Sequence, residues 1–214
     1  GKVEELKGEL EETGANLLIV DYELSGSQTK NLSNYLGVKV IDRITLILDI
    51  FAQRATSNEG KLQVELAQAK YFLPRLSAIS GSSGRFSSGG VGTRGPGETR
   101  LETDRRHLEE NILKLERELK QIEKNRDTKN KQRQFSNKTK VAIVGYTNAG
   151  KSTLLNLISK ANIYADDKLF ATLETTSRNV WLGPGKEIIL TDTVGFISKL
   201  PHSLVHAFKS TLDE

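Results

Sequence analysis

Eight consecutive residues, Gly145-Tyr146-Thr147-Asn148-Ala149-Gly150-Lys151-Ser152, carry the clearest chemistry in the chain, because they fit the pattern GxxxxGK[ST]. Glycines at the first and sixth positions let the backbone wrap so that successive N–H groups face phosphate oxygens. Lys151 supplies a point charge for β- and γ-phosphates, and the Ser152 hydroxyl is a hard oxygen suited to Mg²⁺. Thr153 follows in the same cradle. The pattern is specific only between a strand and a helix. Both are expected here: Val141-Ala142-Ile143-Val144 reads as a buried strand, and Leu154, Leu155, Leu157 and Ile158 as apolar positions of a helix.

A second motif lies 40 residues on. Asp192-Thr193-Val194-Gly195 is a DxxG, in which the Asp supports a Mg²⁺ shell and the Gly N–H senses a γ-phosphate. Arg178 to Leu182 and Glu187 to Leu190 read as strands around the turn Gly183-Pro184-Gly185, a hairpin that delivers this motif. Between the motifs, Phe170-Ala171-Thr172-Leu173-Glu174-Thr175-Thr176 is polar and threonine-rich. One threonine there is expected to complete the metal shell as a switch ordered by γ-phosphate and Mg²⁺; an ordinary surface loop is the alternative. The residue after the DxxG glycine is Phe196, where Ras-like enzymes carry the Gln that orients attacking water. Asn148 is a candidate K⁺ ligand beside the phosphates, or a cap on the loop backbone. No NKxD motif occurs, so guanine is not distinguished from adenine by a base contact and an ATPase stays open. His202 and His206 are four apart but lack the Glu of a zincin, which argues against a second metal site.

These motifs need elements to hold them. Residues 1–60 alternate helix and strand: a helix through Val3, Leu6 and Leu10 closed by Gly14, a strand Leu17-Leu18-Ile19-Val20, and a helix capped by Ser25 or Ser27 and ended by Gly37. A strand Val38-Lys39-Val40-Ile41 and a helix from Ile44 to Ala55 follow, predicting a small parallel sheet. Two strands are too few for an independent sheet, so more of it is expected upstream of Gly1. Residues 61–135 change character. Leu62, Leu66, Ala69, Leu73 and Leu76 form one narrow seam, and Leu101, Leu108, Ile112, Leu115, Leu119 and Ile122 another, predicting an antiparallel two-helix coiled coil. The second helix is expected to begin near Glu98 to Asp104, and Asp127 to Lys140 to be a polar, basic linker. Residues 140–214 form the phosphate-binding unit.

Between the two helices, twelve of the 18 residues from Ser80 to Gly97 are Gly or Ser, with Arg85 and Arg94 and no acid. An antiparallel pair needs only about 2–8 residues to turn. A basic, glycine-rich tip at 80–97 suits the backbone crevices of folded RNA; a flexible connector is the other reading. Charge agrees. The net charge is +4, yet residues 61–140 alone hold 18 Lys and Arg against 10 Asp and Glu. A basic middle between acidic flanks points to a polyanion partner, or to a solvated helix.

Composition sets the outer bounds. At 36% hydrophobic and 27% charged, 214 residues describe a globular chain of one or two domains. No apolar run approaches the ~18–20 residues that cross a bilayer. Without cysteine there is neither a disulfide framework nor a thiolate metal site, and a reducing, cytoplasmic setting is the expectation. Methionine is absent even from position 1, as expected of a piece of a longer polypeptide.

Taken together, the chain resembles the HflX-type GTPases, a branch of the P-loop GTPases. The resemblance is carried by Gly37-Val38-Lys39-Val40-Ile41-Asp42-Arg43, Gly60-Lys61-Leu62-Gln63-Val64-Glu65-Leu66-Ala67-Gln68, Gly92-Thr93-Arg94-Gly95-Pro96-Gly97-Glu98-Thr99, Asp104-Arg105-Arg106, Phe170-Ala171-Thr172-Leu173 and the two motifs above, extended to Phe196. It implies an α/β chain: a small parallel N-terminal subdomain, the coiled coil, then a P-loop GTPase domain whose second half is missing. It implies GTP hydrolysis to GDP, with Lys151, Thr172 and Gly195 at the reacting phosphate and Thr172 as switch threonine. Ser152 and Thr172 would ligate Mg²⁺ and Asp192 would support the shell. The large ribosomal subunit is the implied partner of a monomeric protein that splits or rescues stalled ribosomes, its tip reaching rRNA. Arg85, Arg94, Arg100, Arg105 and Arg106 would then meet RNA phosphate. A non-catalytic interaction module, whose coiled coil recruits a protein, is the rival reading.

Overall fold

The computed structural model describes residues 1–76, 96–133, 139–159 and 176–197, the side chains of 96–100 and 127–133 excepted. Two compact units emerge, one of Gly1–Asp49 with Gln68–Leu113 and one of Ile50–Ala67 with Lys114–Glu214.

In the first unit, α1 (Lys2–Thr13) leads to β1 (Leu17–Val20), α2 (Gly26–Leu36) and β2 (Lys39–Asp42). The helix signals act as the sequence predicts. Ser25 caps α2 by a reciprocal pair, Gln28 N–H to Ser25 Oγ at 3.2 Å and Ser25 N–H to Gln28 Oε1 at 2.9 Å. Gly37, at φ 71°, ends that helix and donates its N–H to the Ser33 carbonyl. β1 and β2 pair in parallel from Leu17↔Lys39 to Val20↔Asp42. Leu24, Leu36 and Val40 form one buried cluster, with Leu10, Leu18, Val20, Leu32 and Val38 against it.

β2 runs one residue past its expected end, because Asp42 is drawn inside to start α3 (Arg43–Arg54). The carboxylate is 3% exposed. It accepts from Thr45 N–H at 2.8 Å, Thr45 Oγ1 at 2.7 Å, Leu24 N–H at 3.1 Å and the Tyr71 hydroxyl. Tyr71 comes from α4 (Asn58–Phe72), which ends in a 3₁₀ turn, Leu73–Arg75, at Pro74. Arg75 lies 3.6 Å over the Tyr71 ring, donates to the Leu24 and Tyr71 carbonyls, and pairs with Glu23 at 2.7 Å. A saturated polar network thus ties the end of α4 to the loop after β1.

The two predicted seams fare differently. On α5 (Pro96–Arg133), Leu101, Leu108, Ile112, Leu115, Leu119 and Ile122 are the covered positions and their neighbours are mostly exposed. On α4, burial also takes in Gln63, Val64, Ala67 and Tyr71, well beyond one narrow stripe. Small and polar residues bury without adding to a leucine pattern, so the sequence reading drew that face too thin. α5 begins at Pro96, where its ring suits a first helical turn, and continues to Arg133. The expected linker from Asp127 is therefore helical over its first half. In the second unit Arg126 on α5 pairs with Glu59 on α4 at 3.5 Å.

The second unit holds the three-stranded sheet β3 (Thr139–Ile143), β5 (Lys186–Asp192) and β4 (Thr176–Gly183), in the order β3-β5-β4. β3 runs parallel to central β5; β4 and β5 form the predicted hairpin, each longer than expected. α6 (Lys151–Ser159) packs Leu155 onto Val180 and Leu190, with Ile143 and Ile188 beside them.

Burial works against ionised Asp42, but donation from Tyr71, Thr45 and Leu24 outweighs it and holds the carboxyl below its usual range. Its stabilisation is therefore present above about pH 4, the unfolded value, and is lost as pH falls through the lower folded value. Replacing Asp42 by Asn is expected to cost about 3 kcal/mol at pH 7. In urea titrations the gap to wild type should narrow below about pH 4; a gap independent of pH contradicts this role for the charge.

Candidate functional site

The site begins with strand register. Ile143, last in β3, lies opposite Asp192, last in β5, so both strands release their loops at the same carboxyl edge of the sheet. Such edges are where α/β sheets present ligand sites. From β3 the chain enters Gly145–Ser152, and from β5 it enters Asp192–Gly195. Side-chain and main-chain bonds join the two segments. Thr193 Oγ1 donates to the Ile143 carbonyl at 2.7 Å. Phe196 N–H donates to the Gly145 carbonyl at 2.9 Å, and Thr147 N–H to the Phe196 carbonyl at 2.8 Å. Tyr146 and Phe196 thereby form an isolated parallel bridge beyond the sheet.

The loop takes the backbone wrap its glycines predict. Gly150 sits at φ 81°, and Asn148 at φ 59° is the one non-glycine with positive φ among the described residues. Asparagine is among the few side chains that tolerate that region. Lys151 begins α6 and folds its ammonium back to the Tyr146 carbonyl at 2.7 Å. Burial lowers its pKa, against the opposing pull of Asp192. Ser152 Oγ donates to Asp192 Oδ2 at 2.5 Å, and Asp192 is fully buried. A hydroxyl and a carboxylate held together at the mouth of a phosphate loop are a hard-oxygen pair that fits Mg²⁺. Among the described residues no group of three or more His, Cys, Asp or Glu gathers to hold a metal ion.

Gly195 is packed hardest. A β-carbon there would stand 2.6 Å from Thr147 Cα, 2.7 Å from Thr147 N and 2.8 Å from Lys151 Nζ. The glycine of the DxxG and Phe196 after it are therefore in main-chain contact with the first three residues of the phosphate loop.

Of the residues picked from sequence, Gly145, Tyr146, Thr147, Asn148, Ala149, Gly150, Lys151 and Ser152 meet Asp192, Thr193, Val194, Gly195 and Phe196 in one place. Thr153 is exposed on the first turn of α6. Phe170, Ala171, Thr172, Leu173 and Glu174 lie outside the described residues, as do Arg85, Arg94, His202 and His206. Arg100 is on α5, its side chain outside the description; Arg105 is exposed and pairs with Glu109 at 2.9 Å, and Arg106 is exposed. What the sequence reading missed are the carbonyls of Gly145, Tyr146 and Phe196. Main-chain acceptors leave no mark in residue types.

Three stretches of the chain match known families. Residues 1–52 match the family "GTP-binding GTPase N-terminal", 54–133 "GTP-binding GTPase Middle Region" and 140–213 "50S ribosome-binding GTPase". Over its whole length the chain is 59% identical to the GTPase HflX of Caldanaerobacter subterraneus and 49% identical to that of Escherichia coli K12. The chain belongs to the HflX-type GTPase family. It spans 50% of each of those two relatives. In fold it is similar to the crystal structure of SsGBP in complex with GDP, at 28% identity and TM-score 0.52, covering 99% of this chain and 54% of that one. The stretch that matches the "50S ribosome-binding GTPase" family contains the phosphate loop and the DxxG described above.

The left-handed turn at residue 148 yields a test. Asn148→Gly should keep guanine-nucleotide affinity within about threefold, whereas Asn148→Val should lose about tenfold or more, because a β-branched residue at that φ costs roughly 1–2 kcal/mol. Fluorescent-nucleotide titration distinguishes them, and equal affinities would mean that the turn conformation does not matter to binding.

Proposed function

We propose that this chain is the phosphate-binding and RNA-engaging part of a cytoplasmic, monomeric GTPase that acts on the large ribosomal subunit, splitting or rescuing stalled ribosomes. The observation carrying this reading is the joining of Lys151, Ser152, Asp192 and Gly195 in one site at the edge of the sheet. In it, the loop amides of 145–153 hold phosphates and Lys151 lies at the β- and γ-groups. Ser152 and Thr172 hold Mg²⁺, which neutralises phosphate charge; Asp192 orients the Ser152 hydroxyl and supports the shell. The Gly195 N–H reports the γ-phosphate, and Phe170–Glu174 supply the other switch. Asn148 is the candidate K⁺ ligand, a role that equal hydrolysis rates in potassium and sodium would remove.

The ribosomal part of the reading draws on the basic middle of the chain and on the family description matched by 140–213. Arg85, Arg94, Arg100, Arg105 and Arg106 meet rRNA phosphate, and GTP-dependent order in the switches changes how the 80–97 tip engages. Phe196 cannot polarise water, so hydrolysis is slow until the ribosome orders or supplies the missing groups.

Two measurements on the full-length protein test this. Co-sedimentation with large subunits should weaken steeply between about 50 and 200 mM salt and with Arg85→Ala plus Arg94→Ala; a complex indifferent to salt, to nuclease and to those changes would favour a protein-recruiting module. Large subunits should raise GTP turnover about tenfold or more, and a turnover they leave unchanged would sink the proposed division of labour.

A further inference from the structure

We infer that the outer edge of β4 is a docking site for an extended protein segment, which adds to the sheet as one more strand and brings an acidic residue to Arg178. None of the residues concerned belongs to the phosphate loop or the DxxG, so the site stands apart from the nucleotide reading.

β4 is the outer strand of the order β3-β5-β4, and among the described residues no strand lies beyond it. Such an edge presents main-chain N–H and C=O groups that invite pairing, and proteins usually blunt it with charges, proline or a bulge. Little of that protection is present here. Over its eight residues β4 has one charge and no proline, and its register shift lies at the far end, between Trp181 and Gly183. Instead Trp181 is 67% and Leu182 59% exposed. The strand itself is held firm. Val180 is buried in a cluster with Leu155 and Leu190, and the Ser177 and Thr191 hydroxyls lie 2.8 Å apart. An edge ordered before binding loses little conformational freedom when a strand is added to it.

Charge and hydrogen bonding point to the occupant. Arg178 is exposed, donates to the Ser177 carbonyl at 3.3 Å and meets no acid among the described residues. A neighbouring strand can set a carboxylate beside the guanidinium and apolar side chains beside Trp181 and Leu182. Nucleic acid fits less well. A base would stack on Trp181, but Glu187 stands directly opposite it on β5 and repels phosphate, and the main-chain edge would stay unpaired. A second copy of β4 would bring another Arg178 and no acid.

The experiment selects binders of the full-length protein from a displayed library of random peptides as long as β4, then measures the synthesised peptides by calorimetry. Peptides that bind should alternate apolar residues and carry an Asp or Glu. Arg178→Glu should weaken them about tenfold or more, and exchanging the peptide's acid for Lys should restore binding to that variant. Trp181→Ser should weaken them about fivefold or more. Both side chains are exposed, so the two variants should unfold at the wild-type temperature. A third arm uses the wild-type protein alone: methylating alternate peptide nitrogens removes strand hydrogen bonds and should abolish binding. A library that yields no binder, or peptides indifferent to Arg178→Glu or to methylation, overturns the strand site. Binding of oligouridylate that Trp181→Ser abolishes would give the edge to nucleic acid. A wild-type dimer in sedimentation that Trp181→Ser dissociates would give it to a second copy, and either result overturns the proposal.

Discussion

The parallel pairing of β3 with β5 is the constraint on which the site depends. Because Ile143 is opposite Asp192, the phosphate loop and the DxxG leave the sheet side by side, and every bond between them follows. A slip of one residue would turn Asp192 to the opposite face and take its carboxylate away from Ser152. The register is enforced by burial: Ile143, Ile188 and Leu190 face Leu155 of α6, and the same slip would expose them. Hydrophobic packing on one face thus decides where a charged group ends up at the edge.

Each unit repeats one device. Asp42 ends β2 and Asp192 ends β5, both acids nearly or wholly buried at the carboxyl end of a parallel strand. Their surroundings set different tasks. Four donors converge on Asp42, two of them on the first turn of α3, and its negative charge is absorbed in holding Tyr71 and α3 in place. Burial and the bond to this acid push the Tyr71 hydroxyl pKa up, so it stays a donor. Asp192 instead faces a hydroxyl and an ammonium that sit on a phosphate loop, partners that serve a ligand as readily as the fold. Strand-end acids are alike in sequence, and their neighbours decide between architecture and chemistry.

The seam on α5 was legible because leucine and isoleucine mark it, with mostly charged or polar residues on the other sides. α4 was not, since Gln63, Ala67 and Tyr71 become buried for reasons that lie in other elements. The extent of α5 beyond Asp127 was hidden likewise: a polar, basic run has fair helix propensity, and composition alone reads it as linker.

What the sequence determined by itself was the chemistry: the GxxxxGK[ST] and DxxG spacings, a serine cap at Ser25 or Ser27, the Gly14 and Gly37 helix ends, the order of strands and helices in the N-terminal sheet, and the family. These depend on residue type at short range, where sterics and local hydrogen bonds act directly. Only the tertiary structure decided that Ser152 bonds Asp192, that Lys151 turns back to Tyr146, that Gly195 has no space beside Thr147, and that Phe196 is held by its backbone. All but the bond from Lys151 to Tyr146 join residues about 40 to 50 positions apart, largely through carbonyls and amides that every residue carries, and so no pattern of side chains can announce them.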